Sequence, residues 1–322
     1  MATSAISIPA RSARKVARFA WLTLACFVLV VLWGAVVRAS GSGGGCGANW
    51  PLCNGDFFPH HPRLATIIEF THRSTSGLCT LLDLALVAWT FRVTPRRHPA
   101  RAAVLWSFAL LLSEAAFGAV LVLRHYVENN ISTGRVAMQS IHFTNTLLLM
   151  ASLALTAWFL GPTRRALPRT SSLAPTLWPT VLAIASTLVV GATGSLAALA
   201  DTLFPSPTLR AALASDFARS SPLLVRMRWM HPAAAVIASV CVLLVVGTRT
   251  RTRTARLVFA LMLLQFVLGA ADVLLLAPAW MQILHLLGAD LYWVALVLLA
   301  AETIWPAAAF SIEPTPAATT HA

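Results

Sequence analysis

The sequence predicts an all-α integral membrane protein with eight transmembrane helices. Of its 322 residues 58% are hydrophobic and only 11% are charged, a composition too apolar for a soluble globular protein. A helix needs ~20 apolar residues to cross a bilayer, and the chain has eight apolar segments near that length. They are residues 18–37, 65–91, 102–123, 137–160, 175–199, 224–246, 256–277 and 279–304.

Basic residues predict which side of the membrane each connection occupies, because Lys and Arg accumulate in short cytoplasmic segments. They cluster before the first span and in every second connection, at residues 11–18, 92–101, 164–169 and 249–256. Both termini are therefore expected to be cytoplasmic, in a multi-pass protein of the cell membrane. The net charge of +13 indicates contact with anionic membrane lipid and not with nucleic acid. The first span is expected to remain as an anchor, since it lacks the cleavage site of a signal peptide.

The two halves of the chain are similar in sequence. The motif Met-Gln-x-x-His ends at His142 in one half and at His285 in the other. Further matched pairs are Gly34 and Gly191, Glu69 and Arg228, His72 and His231, Glu114 and Gln265, and Gly118 and Gly269. Each half holds an even number of spans, so the halves have the same orientation. The sequence predicts two tandem four-helix bundles related by a pseudo-two-fold axis along the membrane normal.

The predicted organisation has five parts along the chain. A cytoplasmic N-terminus occupies residues 1–17, and the two bundles occupy 18–161 and 175–304. A cytoplasmic linker at 162–174 joins the bundles. The tail at 305–322 is rich in Ala, Pro and Thr and is expected to be disordered.

Four histidines are predicted to lie inside the membrane: His72, His142, His231 and His285. Each lies on a span that enters from the outer side, ~10 Å below the outer boundary at the usual helical rise. An ionisable residue at that depth indicates a functional site. Two imidazoles that face each other across a bundle suit the axial positions of a haem iron, with one pair expected in each half. The alternative is that these histidines only form hydrogen bonds between helices.

A carboxylate near the first-half histidines distinguishes the halves. Glu69 precedes His72 by three residues and therefore shares its helical face, whereas Arg228 takes that position in the second half. This asymmetry favours one catalytic and one auxiliary site over two equal ones. Alternatively, Glu69 forms an ion pair with Arg73, one turn further on. Two further acids lie within the spans without an assigned role: Glu114 and Asp272.

The glycine-rich connection after the first span contains Cys46 and Cys53. This connection is predicted to face an oxidising compartment, so the two cysteines are expected to form a disulfide. The disulfide can serve as a structural staple, or as a reducible pair that passes electrons or assists transfer of a ligand.

Together these motifs resemble the haem A synthase family. The residues that carry the resemblance are Gly34-Ala35-Val36-Val37-Arg38, Cys46, Trp50-Pro51-Leu52-Cys53, Glu69-Phe70-Thr71-His72-Arg73, His231 and the two Met-Gln-x-x-His motifs. The resemblance covers all eight spans. It implies an enzyme that oxidises the C8 methyl of haem O to a formyl group by successive hydroxylations, giving haem A for cytochrome oxidase.

The resemblance also implies a role for each site residue. His72 and His142 are expected to hold the substrate haem O, and His231 and His285 to ligate the iron of a haem b cofactor. Glu69 matches the essential glutamate of the family, and the first-loop cysteine pair matches Cys46 and Cys53. The haem propionates are expected to point outward, where three arginines are candidate partners: Arg38, Arg73 and Arg228.

The implied partners are haem O synthase as a donor of haem O, an electron-transfer partner, membrane lipid and a second copy of the chain. One feature of the family is missing: some members have a second cysteine pair in the third outer loop, and residues 201–222 contain no cysteine. Two other functions fit four histidines. One is a di-haem b-type cytochrome that transfers electrons from quinol, and the other is a haem carrier without redox function.

Overall fold

The computed structural model describes residues 10–161, 170–249 and 252–305, which form α-helices and no β-strand. The helices are α1 Ala10–Ala39, α2 Leu64–Val93, α3 Pro99–Leu123, α4 Thr133–Phe159, α5 Thr170–Leu203, α6 Leu209–Phe217, α7 Leu223–Arg226, α8 Met230–Thr248, α9 Arg253–Leu274 and α10 Ala279–Ile304. Within these ranges eight helical segments are long and apolar enough to cross a membrane. The predicted all-α membrane fold with eight spans is therefore confirmed.

Short-range sequence signals set where several helices begin. The side chains of Ser132, Thr208 and Thr252 each accept a hydrogen bond from a backbone N–H in the first turn of α4, α6 and α9. Pro99 opens α3 at a position where the backbone N–H has no helical partner anyway. For the spans α3, α4 and α9 these signals place the helix start three or four residues before the apolar segment that hydropathy predicts.

The sixth span is not one continuous helix, because α7 ends at Arg226 and α8 starts at Met230. Pro232 lies in the first turn of α8, where its ring would clash with a carbonyl of an uninterrupted helix. The backbone N–H of His231 instead bonds to the carbonyl of Arg228, a tighter three-residue turn. His231 therefore lies at a helix start, whereas His72 lies inside α2.

Helices α4 and α10 are central in the protein. In the most apolar stretch of each span, 50% of the residues of α4 and 44% of those of α10 are buried. The corresponding stretches of the other spans have 11–28% of their residues buried. Across the junction of the two halves, Trp293 of α10 donates to the carbonyl of Leu147 in α4 at 2.7 Å. Gly191 of α5 allows α4 to approach, since a Cβ there would lie 2.5 Å from Leu147. Close packing of this kind stabilises helices in lipid, where the hydrophobic effect adds little.

The same packing partners recur in both halves. In the first half α1 packs on α2 and α4, and α3 packs on α4. In the second half α5 packs on α8 and α10, and α9 packs on α10. This recurrence is compatible with the predicted duplication, and the pseudo-two-fold axis itself stays a prediction.

The expected domain boundaries fall partly outside the described residues. Helix α1 begins at Ala10, inside the segment predicted as an N-terminal extension. Helix α5 begins at Thr170, so the last residues of the predicted linker are helical. Residues 162–169 of that linker lie outside the described residues. The predicted tail also lies outside it from residue 306 onward.

Candidate functional site

In the first half each predicted ligand histidine lies against a glycine of a neighbouring helix. A Cβ built on Gly34 of α1 would lie 3.2 Å from Cε1 of His72. A Cβ on Gly118 of α3 would lie 3.6 Å from Nε2 of His142. Each of the two imidazoles therefore has a glycine backbone on one side.

The second half repeats this arrangement. A Cβ on Gly194 of α5 would lie 2.8 Å from Cε1 of His231, and one on Gly269 of α9 would lie 3.4 Å from Cε1 of His285. The sequence comparison of the halves matched Gly34 with Gly191, which is wrong by three residues: Gly194 occupies the equivalent place. A shift of three residues is nearly one helical turn, so sequence similarity alone did not resolve it.

The rings of His231 and His285 face each other with their centres 6.2 Å apart and their planes at 80°. A metal atom bonded to one nitrogen of each ring at ~2 Å would separate the ring centres by ~6 Å, since each nitrogen lies ~1 Å from its ring centre. The distance between the ring centres of the second pair is therefore compatible with one metal atom bound by both rings.

Not all of these imidazoles are accounted for by hydrogen bonds between helices. Nδ1 of His231 bonds with the carbonyl of Val190 at 3.1 Å. In contrast, the buried Nδ1 atoms of His72 and His285 have no hydrogen-bond partner. A buried polar atom without a partner is unusual and indicates a role other than helix packing.

Over the described ranges of the chain, no three His, Cys, Asp or Glu side chains converge as a metal-ion site requires. His231 and His285 come together as a pair, and a haem iron is a metal that needs only two protein ligands. The residues present thus fit a haem better than a bare ion.

Glu69 is buried, with 3% of its surface exposed, and both carboxylate oxygens are used. Oε2 accepts from the backbone N–H of Cys46 at 2.7 Å, and Oε1 pairs with Arg73 at 2.6 Å. The ion pair with Arg73 that was the alternative interpretation of Glu69 is therefore present. Arg73 also donates to the carbonyls of Asn49 and Leu52 at 2.6 and 2.7 Å. Glu69 and Arg73 together hold the loop between α1 and α2.

That loop contains the predicted disulfide, which is present between Cys46 and Cys53, both buried. The loop lies directly on the start of α2, where Thr66 donates to the carbonyl of Gly45 at 2.8 Å. A Cβ on Gly45 would overlap the backbone of Ala65, so glycine is required for this approach. The remaining cysteines in the described residues are free, as expected.

The three arginines expected to meet haem propionates are all bound by protein groups. Arg38 of α1 donates to Thr202, to the carbonyl of Ala198 at 2.6 Å and to Gln282 at 2.7 Å. Arg38 therefore links the first half to α5 and α10 of the second.

Arg228 has a similar structural role just before α8. It pairs with Asp201 at 2.8 Å and with Asp216 at 2.7 Å, and it donates to Ser215. It thereby fastens α6 to the spans. Sequence reasoning missed both acids, and the only available signal was the presence of Asp residues in an otherwise apolar outer connection.

Sequence reasoning also assigned no role to Glu114, although the structure places it beside a predicted ligand. Its Oε1 lies 2.8 Å from Nδ1 of His142. The available signal was its spacing from Gly118, which is four residues away and so lies on the same face of α3.

A bundle of eight membrane-spanning helices with paired intramembrane histidines is typical of membrane proteins that bind haem. A profile of the COX15-CtaA family, described as cytochrome oxidase assembly protein, matches residues 17–297. The chain therefore belongs to the COX15-CtaA family, as the resemblance to haem A synthase predicts.

Individual relatives carry two names. The chain is 41% identical over 300 residues to a protohaem IX farnesyltransferase of Thermus thermophilus, a match that covers 90% of this chain and 48% of that protein. It is 37% identical over 142 residues to a haem A synthase of Symbiobacterium thermophilum and 33% identical over 140 residues to one of Exiguobacterium. Each of these two matches covers 44% of both chains. The chain thus spans about half the length of the relatives it matches.

Proposed function

We propose that this protein is a haem A synthase that oxidises the C8 methyl of haem O to a formyl group. The observation that carries the proposal is the set of four intramembrane histidines, each against a glycine, in a chain of the COX15-CtaA family. Relatives named haem A synthase support the same conclusion.

The two histidine pairs have different roles in this proposal. His72 and His142 of the bundle at 18–161 bind the substrate haem O, and His231 and His285 of the bundle at 175–304 ligate a resident haem b. The bound haem b iron supplies one-electron redox chemistry. The ring spacing of His231 and His285 and the unpartnered nitrogen of His285 support the second assignment.

Glu69 is the proposed catalytic carboxylate. It lies one turn from His72 on α2, where it pairs with Arg73 and accepts a hydrogen bond from the N–H of Cys46. A carboxylate held next to the substrate can stabilise positive charge that develops during oxidation of the methyl group. Each hydroxylation replaces one C–H bond of the methyl group by a C–O bond. With an electron-transfer partner as acceptor of the two electrons, the oxygen comes from water and two protons are released in each step. The resulting diol loses water to give the aldehyde.

The farnesyltransferase relative fits this proposal because its name describes addition of a farnesyl group to protohaem IX. Less than half of that relative aligns with this chain, so its remaining half can carry the farnesyl transfer. We propose that a haem O synthase donates haem O to this chain and that a separate electron-transfer partner accepts the electrons.

The proposed location is the cell membrane, with both termini cytoplasmic. The basic clusters at the predicted cytoplasmic ends support this orientation, and they also favour contact with anionic lipid. In this orientation the loop with Cys46 and Cys53 faces an oxidising compartment, where its disulfide is stable.

The test is to express the full chain in cells that make haem O but lack a haem A synthase, and to separate the extracted haems by chromatography. We expect haem A or a hydroxylated haem O beside haem b. Haem b alone, in cells shown to contain haem O, would contradict the proposal and favour the di-haem cytochrome.

A second arm supplies the purified chain with protohaem IX and farnesyl diphosphate. We expect no farnesylated product. Formation of one would assign the activity of the Thermus relative to this chain instead.

A further inference from the structure

Glu114 of α3 holds His142 of α4 by a hydrogen bond, with Oε1 2.8 Å from Nδ1. Two further α4 side chains donate to the same carboxylate, Thr146 to Oε1 and Asn145 to Oε2 at 2.6 Å. Ser113 in turn donates to Oδ1 of Asn145 at 2.8 Å, which orients that amide. Every group around the carboxylate is a donor, so Glu114 serves only as an acceptor.

This contact determines which nitrogen of His142 is available. Because Nδ1 donates to Glu114, the lone pair of the neutral ring lies on Nε2. Nε2 is the atom that lies nearest to Gly118, one turn from Glu114 on α3. One face of α3 thus presents both a carboxylate that fixes the ring and a glycine that leaves space beside its free nitrogen.

The second half has an equivalent glycine beside its histidine but no carboxylate at the position of Glu114. Gln265 of α9 takes the place of Glu114, and Gly269 lies against His285 as Gly118 lies against His142. Nevertheless, Nδ1 of His285 and Nε2 of Gln265 are both buried without a partner. The two predicted ligands on the central helices therefore differ in one respect: His142 bonds to a carboxylate and His285 does not.

We infer that Glu114 is a positioning residue that makes His142 a more electron-rich haem ligand than His285. A carboxylate bonded to the far nitrogen of a ligating imidazole fixes its tautomer and raises its basicity. A more basic ligand favours the oxidised form of iron. The haem of the first half therefore has a lower reduction potential than the haem of the second. This inference rests on the proposed function, because it needs His142 to be a haem ligand.

The experiment measures each half separately in the full chain. The first-half protein keeps His72 and His142 and carries His231→Ala with His285→Ala. The second-half protein keeps His231 and His285 and carries His72→Ala with His142→Ala. Protohaem is the probe in both proteins. The potential is measured by an equilibrium redox titration.

In the first-half protein, Glu114→Gln is expected to change the ratio of ferric to ferrous affinity ~10-fold, which raises the potential by ~59 mV for one electron. In the second-half protein, Gln265→Glu is expected to lower the potential. Glu302→Gln is the matched control, since that carboxylate bonds to Thr254 near the far end of α10. Unchanged potentials in both test variants would overturn the inference.

A second measurement uses the full chain without haem and so does not depend on loading. Nitrogen NMR of labelled histidine is expected to show His142 as the single tautomer protonated at Nδ1, and Glu114→Ala is expected to release it to a mixture. An unchanged tautomer would overturn the positioning role. If instead the first-half protein binds neither protohaem nor haem O while the tautomer depends on Glu114, the proposed function fails and the positioning contact stands.

Discussion

The carboxylate of Glu69 accepts a hydrogen bond from the backbone N–H of Cys46 at 2.7 Å. One residue proposed for catalysis and one half of the disulfide are thus in direct contact. The loop and the helix that carries His72 therefore cannot move independently while this bond and the Glu69–Arg73 ion pair are intact. Because of this contact, variants of the loop and of Glu69 must be interpreted together.

Glu69→Ala is expected to abolish haem A formation and to lower stability. Cys46 and Arg73 lose their acceptor, and hydrogen bonds to charged groups contribute ~1.5–3 kcal/mol each. Haem extraction should still find the haem b of the second half. Glu302→Ala, which removes an acid that bonds to Thr254 near the far end of α10, is the control and should leave haem A levels unchanged. Normal haem A levels in Glu69→Ala protein would contradict the catalytic role.

Cys46→Ser with Cys53→Ser separates the two functions considered for the disulfide. A disulfide typically stabilises by ~2–4 kcal/mol, so the double variant should unfold at a lower temperature. If the disulfide is a staple, haem A formation should persist below that temperature. Loss of haem A at an unchanged unfolding temperature would instead favour a redox role. Cys241→Ser, which changes a cysteine outside the disulfide, is the control for the exchange of cysteine by serine.

Replacing the glycines beside the histidines by alanine should cause less harm where more space surrounds the glycine. Gly194→Ala places a Cβ 2.8 Å from His231, so we expect a large loss of haem from the second half. Gly118→Ala places a Cβ at an ordinary 3.6 Å from His142 and should be tolerated. Gly77→Ala, with open space around it, should be neutral or stabilising by up to ~1 kcal/mol. Haem content per protein is the measurement, and equal losses at Gly194 and Gly118 would refute this geometry.

The two Met-Gln-x-x-His motifs offer a matched pair of variants. Gln282 accepts from Arg38 across the halves at 2.7 Å, whereas Gln139 makes no side-chain hydrogen bond within the described structure. Gln282→Ala should therefore destabilise the protein by ~1.5–3 kcal/mol, and Gln139→Ala should change stability little. Thermal unfolding in detergent measures both. Equal effects would show that the Arg38 link does not contribute.

We expect the protein to lose stability at mildly acidic pH because His98 becomes protonated. Its Nδ1 accepts from the backbone N–H of Ala100 at the start of α3, which requires the unprotonated ring. Burial, followed by the charge of Arg101, lowers the pKa of His98 in the folded protein. The folded state therefore binds this proton less well than the unfolded state, so its contribution is lost as pH falls below the ordinary histidine pKa of ~6.5. His98→Asn, a cap that does not titrate, should reduce the loss of thermal stability between pH 7 and pH 5.

The spans could be predicted because the bilayer sets the length of an apolar segment and lipid permits few other structures. The histidines could be predicted because a polar group in that setting stands out. Helix α6 and the break before Met230 were not predicted, since hydropathy does not detect a short outer helix or a proline in a first turn. The role of Arg38 was also missed, because a contact between residues 38 and 282 depends on how the halves pack.

The break before α8 connects the start of the helix that carries His231 to the short helix α6. Arg228, which fastens α6 through Asp216, lies three residues before His231 and accepts its backbone hydrogen bond. A protein that docks on α6, or a protease that cuts it, would therefore act within one turn of a proposed haem ligand. In the first half the residue three positions before His72 is Glu69, which bonds to the loop between α1 and α2. His231 is instead connected to a separate short helix, so a contact made on α6 reaches it through a single side chain, that of Arg228.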